Sequence, residues 1–162
     1  MHVEPATLSE VELLADWWVE LAAEQRAFDS HLFADENREL IREAIGRGIL
    51  AGTVLVARPD IDEEQEAAAD VDPLGFVMFS LESGRYRQDV TRGIVDNLYV
   101  RPAKRNRGVG SELLEAAERA LYEAGAETVS LDSMAENEGA RRFYRRHGYT
   151  PHRIEFEKGL DE

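Results

Sequence analysis

The chain has 162 residues and 18.3 kDa, one domain's worth of sequence with enough length to bury a sizeable core. Apolar residues make up 43% of it, which places it outside the disordered class despite 32% charge. Cysteine is absent, so disulfides, thiolate zinc sites and a cysteine nucleophile are all excluded. The histidines at 2, 31, 147 and 152 form no HxH or HExxH pattern, so no metal site is expected. Asp and Glu number 33 against 19 Lys and Arg, a formal net charge of -14 that disfavours nucleic acid and anionic membranes as partners.

All but two of the basic residues, Lys104 and Lys158, are arginines. Such a surface reads either as adaptation to concentrated salt, where ions screen self-repulsion, or as a plain acidic surface in a high-GC organism. The segment Met1 to Glu12 lacks the apolar core of a secretory signal. The longest apolar run, Ile49 to Ala57, is too short to span a bilayer. A cytoplasmic protein is the expectation.

In chain order, Ser9 to Phe28 predicts an amphipathic helix, with Leu13, Leu14, Trp17, Trp18 and Leu21 on one stripe and Ser9 with Glu12 as a capping box. A second helix follows Asp35, with Leu40, Ile41, Ala44 and Ile45 inward and Gly46 and Gly48 ending it. Thr53 to Ala57 and Leu74 to Leu81 read as strands joined by an acidic, mobile connection over Asp60 to Asp72. Ile94 to Val100 alternates as a strand, with Ile94, Asp96, Leu98 and Val100 on one face and Val95, Asn97 and Tyr99 on the other. A Pro, Gly and Arg-rich loop leads from Arg101 to a helix over Ser111 to Ala124, then a short strand over Thr128 to Leu131. Asn137 caps a last helix that stops at Gly148, and a final strand runs from Tyr149 to about Phe156. The order βααββ(β)αβαβ, without repeat or linker, predicts a single α/β domain over residues 1–162.

The segment Arg105-Asn106-Arg107-Gly108-Val109-Gly110-Ser111 between a strand and a helix predicts an anion cradle. Its glycines permit close backbone approach, and the helix start offers unpaired amides and a positive dipole end. Arg101 and Lys104 add positive charge beside Arg105 and Arg107. A dinucleotide fingerprint would need glycine at 113, where Leu113 sits, and no GxxxxGK[ST] occurs.

The stretch Val100 to Leu114 resembles motif A of the GNAT superfamily of N-acetyltransferases, R/Q-x-x-G-x-G/A. The later run Asn137-x-x-Ala140-x-x-Phe143-Tyr144-x-x-x-Gly148-Tyr149 is similar to the superfamily's second signature, and Asp96-Asn97-Leu98-Tyr99-Val100 to its L-E-D-L-Y-V strand. The resemblance covers residues 74 to 157, while the first half fits only loosely. It implies a mixed, splayed sheet flanked by helices and direct transfer of an acetyl group from acetyl-CoA to an amine, without a metal. It further implies that the amides of Arg105, Asn106, Arg107, Gly108, Val109, Gly110 and Ser111 bind pyrophosphate. The backbone of Leu98, Tyr99 and Val100 would pair with the pantetheine arm, and Asn137 would contact that arm. Tyr144 would protonate the departing thiolate.

An alkylammonium with a reference pKa of about 10.4 must lose a proton before attack, and Asp96 is the candidate base or else a substrate contact. Gln25, Asp29, His31 and Phe33 are candidates for the acceptor groove, with Trp17, Trp18 and Phe28 in the core. The resemblance also implies a homodimer. The rival readings are a catalytically silent acyl-CoA-binding sensor on the same fold and a phosphate-loop nucleotide binder.

Overall fold

A computed structural model describes residues 1–60, 72–84 and 86–161; most of the acidic connection therefore lies outside the described residues. Five strands form one sheet in the order β1-β2-β3-β4-β5: β1 (His2–Pro5), β2 (Val54–Arg58), β3 (Gly75–Leu81), β4 (Arg92–Val100) and β5 (Thr128–Ser130). The first four pair antiparallel and β5 joins β4 in parallel, which makes the sheet mixed. Helices α1 (Val11–Arg26) and α2 (Arg38–Ala51) cover one face; α3 (Val109–Glu123) and α4 (Glu138–Arg146) accompany the other.

Strand alternation divides the core in two. Val54, Val56 and Phe76 point towards α1 and α2, where they meet Leu14, Trp17, Trp18 and Ile45. Ala57, Val77 and Phe79 point the other way, against Leu113, Leu114, Ala117 and Leu121 of α3. The stripes of α1 and α3 read from the sequence are thus contact faces; on α2 Ile41 and Ile45 face the core as expected, but Leu40 is exposed and Ile49 packs instead.

Several boundaries shift for identifiable reasons. The capping box is Thr7 with Glu10, around a short turn that precedes α1, rather than Ser9 with Glu12. Helix α2 runs through Gly46 and Gly48 and ends at Gly52, whose φ of 77° provides the left-handed stop. Gly48 is there for space, because a Cβ on it would come within 2.8 Å of Val54 Cγ2. The expected last strand over Tyr149 to Phe156 joins no sheet: residues 149 to 161 carry no regular structure, and from Thr150 onward all are exposed.

The alternation expected along β4 breaks in its middle. Met78 lies opposite Asn97 but Phe79 lies opposite Val95, so Asp96 is the extra residue of a β-bulge. After the bulge the faces swap. Val95, Leu98 and Val100 share the α3 face, and Asn97 and Tyr99 meet α1, which corrects the grouping of Asp96 with Leu98 and Val100.

No helix among the described residues is long and apolar enough to cross a membrane. A Cβ on Gly75 would lie 2.3 Å from the Tyr99 carbonyl oxygen and 3.0 Å from Val100 Cα, both backbone atoms that cannot swing aside. Gly75→Ala is therefore expected to push β3 from β4 and lower stability by about 1–3 kcal/mol in denaturant unfolding; an unchanged midpoint would show that the two strands are not held at this separation.

Candidate active site

The site begins where the sheet fails. β4 and β5 pair only from Arg92 with Thr128 to Ile94 with Ser130, and beyond those residues they part. Leu98, Tyr99 and Val100 stay paired with Val77, Phe76 and Gly75 of β3 in that order on one side, and among the described residues no strand takes their other edge. A strand edge with free amides and carbonyls facing a cleft is a template for an extended ligand. The side chains of Leu98 and Val100 pack on the α3 side, and Tyr99 is buried on the α1 side, so the backbone is what the three offer the cleft.

Helix α1 steadies this half-free strand from behind. The Trp18 indole donates to Asn97 Oδ1 at 3.1 Å, and the Tyr99 hydroxyl donates to Glu20. The Tyr99 ring sits 5.5 Å from Trp17, and burial followed by the Glu20 bond pushes its phenol well above the ordinary value. One turn later Glu24 takes both its oxygens to Arg105 Nη2, at 3.0 and 3.1 Å. Glu20 and Glu24 were not singled out from the sequence, although their four-residue spacing beside the Trp stripe marks one helix face.

Beyond Val100 the chain forms the cradle. Asn106 has φ 63° and Gly108 φ 84°, two left-handed positions that turn the backbone back on itself before α3. Such turns aim successive amides at one point, and α3 starts there with the amides of Val109, Gly110 and Ser111 lacking a preceding helical carbonyl. Nothing lies within 4 Å of a Cβ built on Gly108, so its requirement is conformational; a Cβ on Gly110 would make only an ordinary contact, 3.4 Å from Phe143 Cζ, and its φ is not positive. Val109 is buried and anchors the turn, whereas Arg107 is exposed.

The expected positive charge is only partly available. Arg105 turns back, its Nε donating to the Val100 carbonyl at 2.8 Å and its guanidinium lying 5.6 Å above the Tyr99 ring, so it braces the loop. Ser111 meets His147 Nε2 at 2.9 Å across the α3–α4 interface, a contact the sequence reading did not anticipate. Asn137 caps α4, its Oδ1 accepting from the Ala140 amide at 3.1 Å.

The two candidate acid–base groups occupy different settings. Tyr144 is half-buried against Phe143 and Tyr149, with ring centroids at 5.4 and 6.0 Å, and burial raises its phenol. Asp96 stands on the bulge with Oδ2 accepting from the Ser80 hydroxyl at 2.9 Å. Desolvation pushes its carboxyl up, partly offset by the Ser80 bond, and among the described residues no cation pairs with it. Because Ser80 alternates with Phe79 and shares the side of Met78, Asp96 faces the α1–α2 side of the sheet, opposite α3. Of the groove candidates, Phe33 and His31 are exposed, Phe33 lying beneath the Arg26 guanidinium and His31 bonding Glu157. Trp17 and Trp18 are core as expected, and Phe28 is half-buried. No group of three or more His, Asp or Glu among the described residues is placed to hold a metal ion.

The backbone superposes on solved structures. A Bacillus halodurans protein, solved as a point mutant, superposes with a TM-score of 0.78 at 18% identity over 99% of both chains. A GCN5-related N-acetyltransferase from Ralstonia eutropha superposes at 0.70, with 22% identity over 98% of this chain and 97% of that one. These establish the fold. In sequence, an aminoalkylphosphonate N-acetyltransferase from Salmonella typhimurium is 38% identical over 68 residues, 42% of this chain and 44% of the relative. An N-alpha-acetyltransferase of Arabidopsis thaliana is 39% identical over 66 residues, 41% and 34% of the respective chains. The matches thus span less than half the length of either relative. The model of the acetyltransferase (GNAT) family matches residues 11–149, and the chain belongs to that family.

Proposed function

We propose that the protein is an acetyl-CoA-dependent N-acetyltransferase that passes an acetyl group directly to a primary amine on a small, cationic acceptor, working in the cytoplasm as a homodimer. The observation that carries the reading is the unpaired edge at Leu98 to Val100, running straight into a left-handed, glycine-bearing turn at a helix N-terminus. An extended amide arm ending in phosphates has the chemistry for both: strand-like pairing along the edge and anion binding by the amides that follow. The amides from Arg105 to Ser111 hold the phosphates, and Asn137 meets the arm.

Asp96 takes the proton from the acceptor ammonium. The surroundings that raise a carboxylate also lower an amine, which narrows the gap between the two groups. The freed nitrogen attacks the thioester carbonyl, which accepts a hydrogen bond from the backbone of β4; the C–N bond forms, the C–S bond breaks, and the nitrogen releases its second proton to solvent as the neutral amide forms. Tyr144 gives its phenolic proton to the departing thiolate, and burial keeps that proton in place until then. A cationic acceptor fits Asp96, which has no cation of its own among the described residues. The two sequence relatives bear names of amine acetylations, one on a small molecule and one on an α-amine.

Calorimetric titration with acetyl-CoA tests the reading first. The wild type should bind and Gly108→Val should bind at least tenfold more weakly, because valine resists a φ of 84°. A folded wild type that takes up no acetyl-CoA would end the proposal, and binding without thiol release over a broad amine panel would make the chain a sensor.

Tyr144→Phe should leave acetyl-CoA affinity unchanged and lower kcat by about 10²-fold or more. Unchanged turnover removes Tyr144 as the acid.

The pH dependence follows from Asp96. Only the ionised carboxylate accepts a proton, so kcat/KM should climb as pH rises through its raised pKa, and Asp96→Asn should remove that limb and lower the plateau by about 10²-fold. The same shift costs stability. A carboxyl whose folded pKa is raised favours folding below its unfolded pKa and loses that contribution as pH rises through the folded value. Asp96→Asn is therefore neutral or stabilising at pH 7, and a profile that keeps its limb in this variant excludes Asp96 as the base.

A further inference from the structure

Helix α4 ends against the first turn of α3. The Phe143 ring reaches to 3.4 Å from the Cβ position of Gly110, and the His147 ring lies against Phe143 with centroids 4.6 Å apart. His147 closes α4. Its amide bonds the Tyr144 carbonyl at 3.0 Å and Gly148 follows with φ 87°, so the backbone that carries the ring is held as well as the ring itself. From there Nε2 meets Ser111 Oγ at 2.9 Å, with both residues half-buried. The chemistry proposed above uses the Ser111 amide and leaves both side chains without a task.

A serine hydroxyl has one proton to donate. Spent on His147, that proton leaves only oxygen lone pairs for whatever the turn binds, and an anion is repelled by them. With hydrogen on Nε2 the bond reverses: the imidazole donates to Oγ, and the serine proton is free for an acceptor held beside the residue's own amide. An anion in the turn selects this second arrangement, since only this one offers it a proton. Imidazole can present N–H at Nε2 in its neutral form as well as its charged one, so the arrangement is open to it in either state. Neutral donors matter here because Arg105, expected to bring charge to the turn, is engaged with Glu24 and the Val100 carbonyl.

We propose that His147 is a positioning residue for the phosphates of acetyl-CoA: its Nε2–H donates to Ser111 Oγ and so turns the Ser111 hydroxyl proton onto a pyrophosphate oxygen. The role rests on the reading of the turn before α3 as the phosphate site, and it adds a side-chain donor to the amides there. It concerns the hold on the cofactor and not the transfer step.

The test is calorimetric titration of acetyl-CoA into the wild type, Ser111→Ala, His147→Leu, His147→Gln and the combined Ser111→Ala, His147→Leu variant, each with the wild-type far-UV circular dichroism spectrum. Ser111→Ala and His147→Leu should each bind about tenfold more weakly, the loss expected for one hydrogen bond to a charged group. Because both remove the same bond, the combined variant should also lose about tenfold and not the product of the two. A glutamine amide donates from the place that Nε2 occupies, so His147→Gln should restore binding to near the wild-type level. In phosphorus NMR of bound CoA, the pyrophosphate resonances should move in His147→Leu while the ribose phosphate resonance stays. A folded His147→Leu that binds like the wild type, a His147→Gln as weak as His147→Leu, or losses that multiply in the combined variant would each overturn the positioning role. Were His147→Leu to lose its fold, Ser111→Ala decides, and wild-type affinity in it overturns the role. A wild type that takes up no acetyl-CoA removes the reading of the site and this role with it, whereas binding indifferent to His147 removes the role alone.

Discussion

The arrangement depends on β4 losing its neighbour after Ile94. Backbone amides and carbonyls are obligatory hydrogen-bonding groups, and a strand paired on one side only leaves every second residue's pair unsatisfied unless water or a ligand takes it. The bulge at Asp96 stands at the point of divergence. An extra residue bends and twists its strand, so β4 leaves β5 while staying paired with β3 on either side of a one-residue register shift. The same insertion turns the Asp96 carboxylate to the face opposite α3. One local irregularity thus opens the cleft and places the acid on the side where the cradle is not.

A strand that has lost half its pairing needs support from elsewhere, and α1 supplies it. Trp18 holds Asn97, Glu20 holds Tyr99 and Glu24 holds Arg105, successive points along α1 that follow β4 from the bulge to the turn before α3. Two of these groups are carboxylates in a protein already rich in acid, yet each is committed to a bond within the fold. Glu20 and Glu24 therefore brace the strand, whereas Asp96 has no cation partner among the described residues and only the Ser80 hydroxyl bonded to it.

How much of this the sequence carried depends on how local each signal was. The turn before α3 was legible in part: Gly108 was read as a special backbone position and has a positive φ, but Gly110 does not, and the other left-handed residue is Asn106. The cap at Asn137 and the stripes of α1 and α3 were legible for the same reason, as each needs only neighbouring residues. The bulge was not. Alternation over Ile94 to Val100 reads as one unbroken strand, and the inserted residue shows only against the register of β3, which lies across the sheet. Gly46 and Gly48 misled as helix stops because close packing against Val54, a tertiary contact, also calls for glycine. Arg105 looked like an anion ligand until Glu24, distant in sequence, was seen to engage it.

The final strand is the most instructive departure. Its pattern is that of a strand, and the structure leaves it extended, exposed and alone. Periodicity records the environment a segment is suited to, and one chain does not always contain that environment. The two walls of the cleft make the point physically. The β4 wall has β3 beside it and α1 behind it, whereas the β5 wall is three residues joined to β4 at one end.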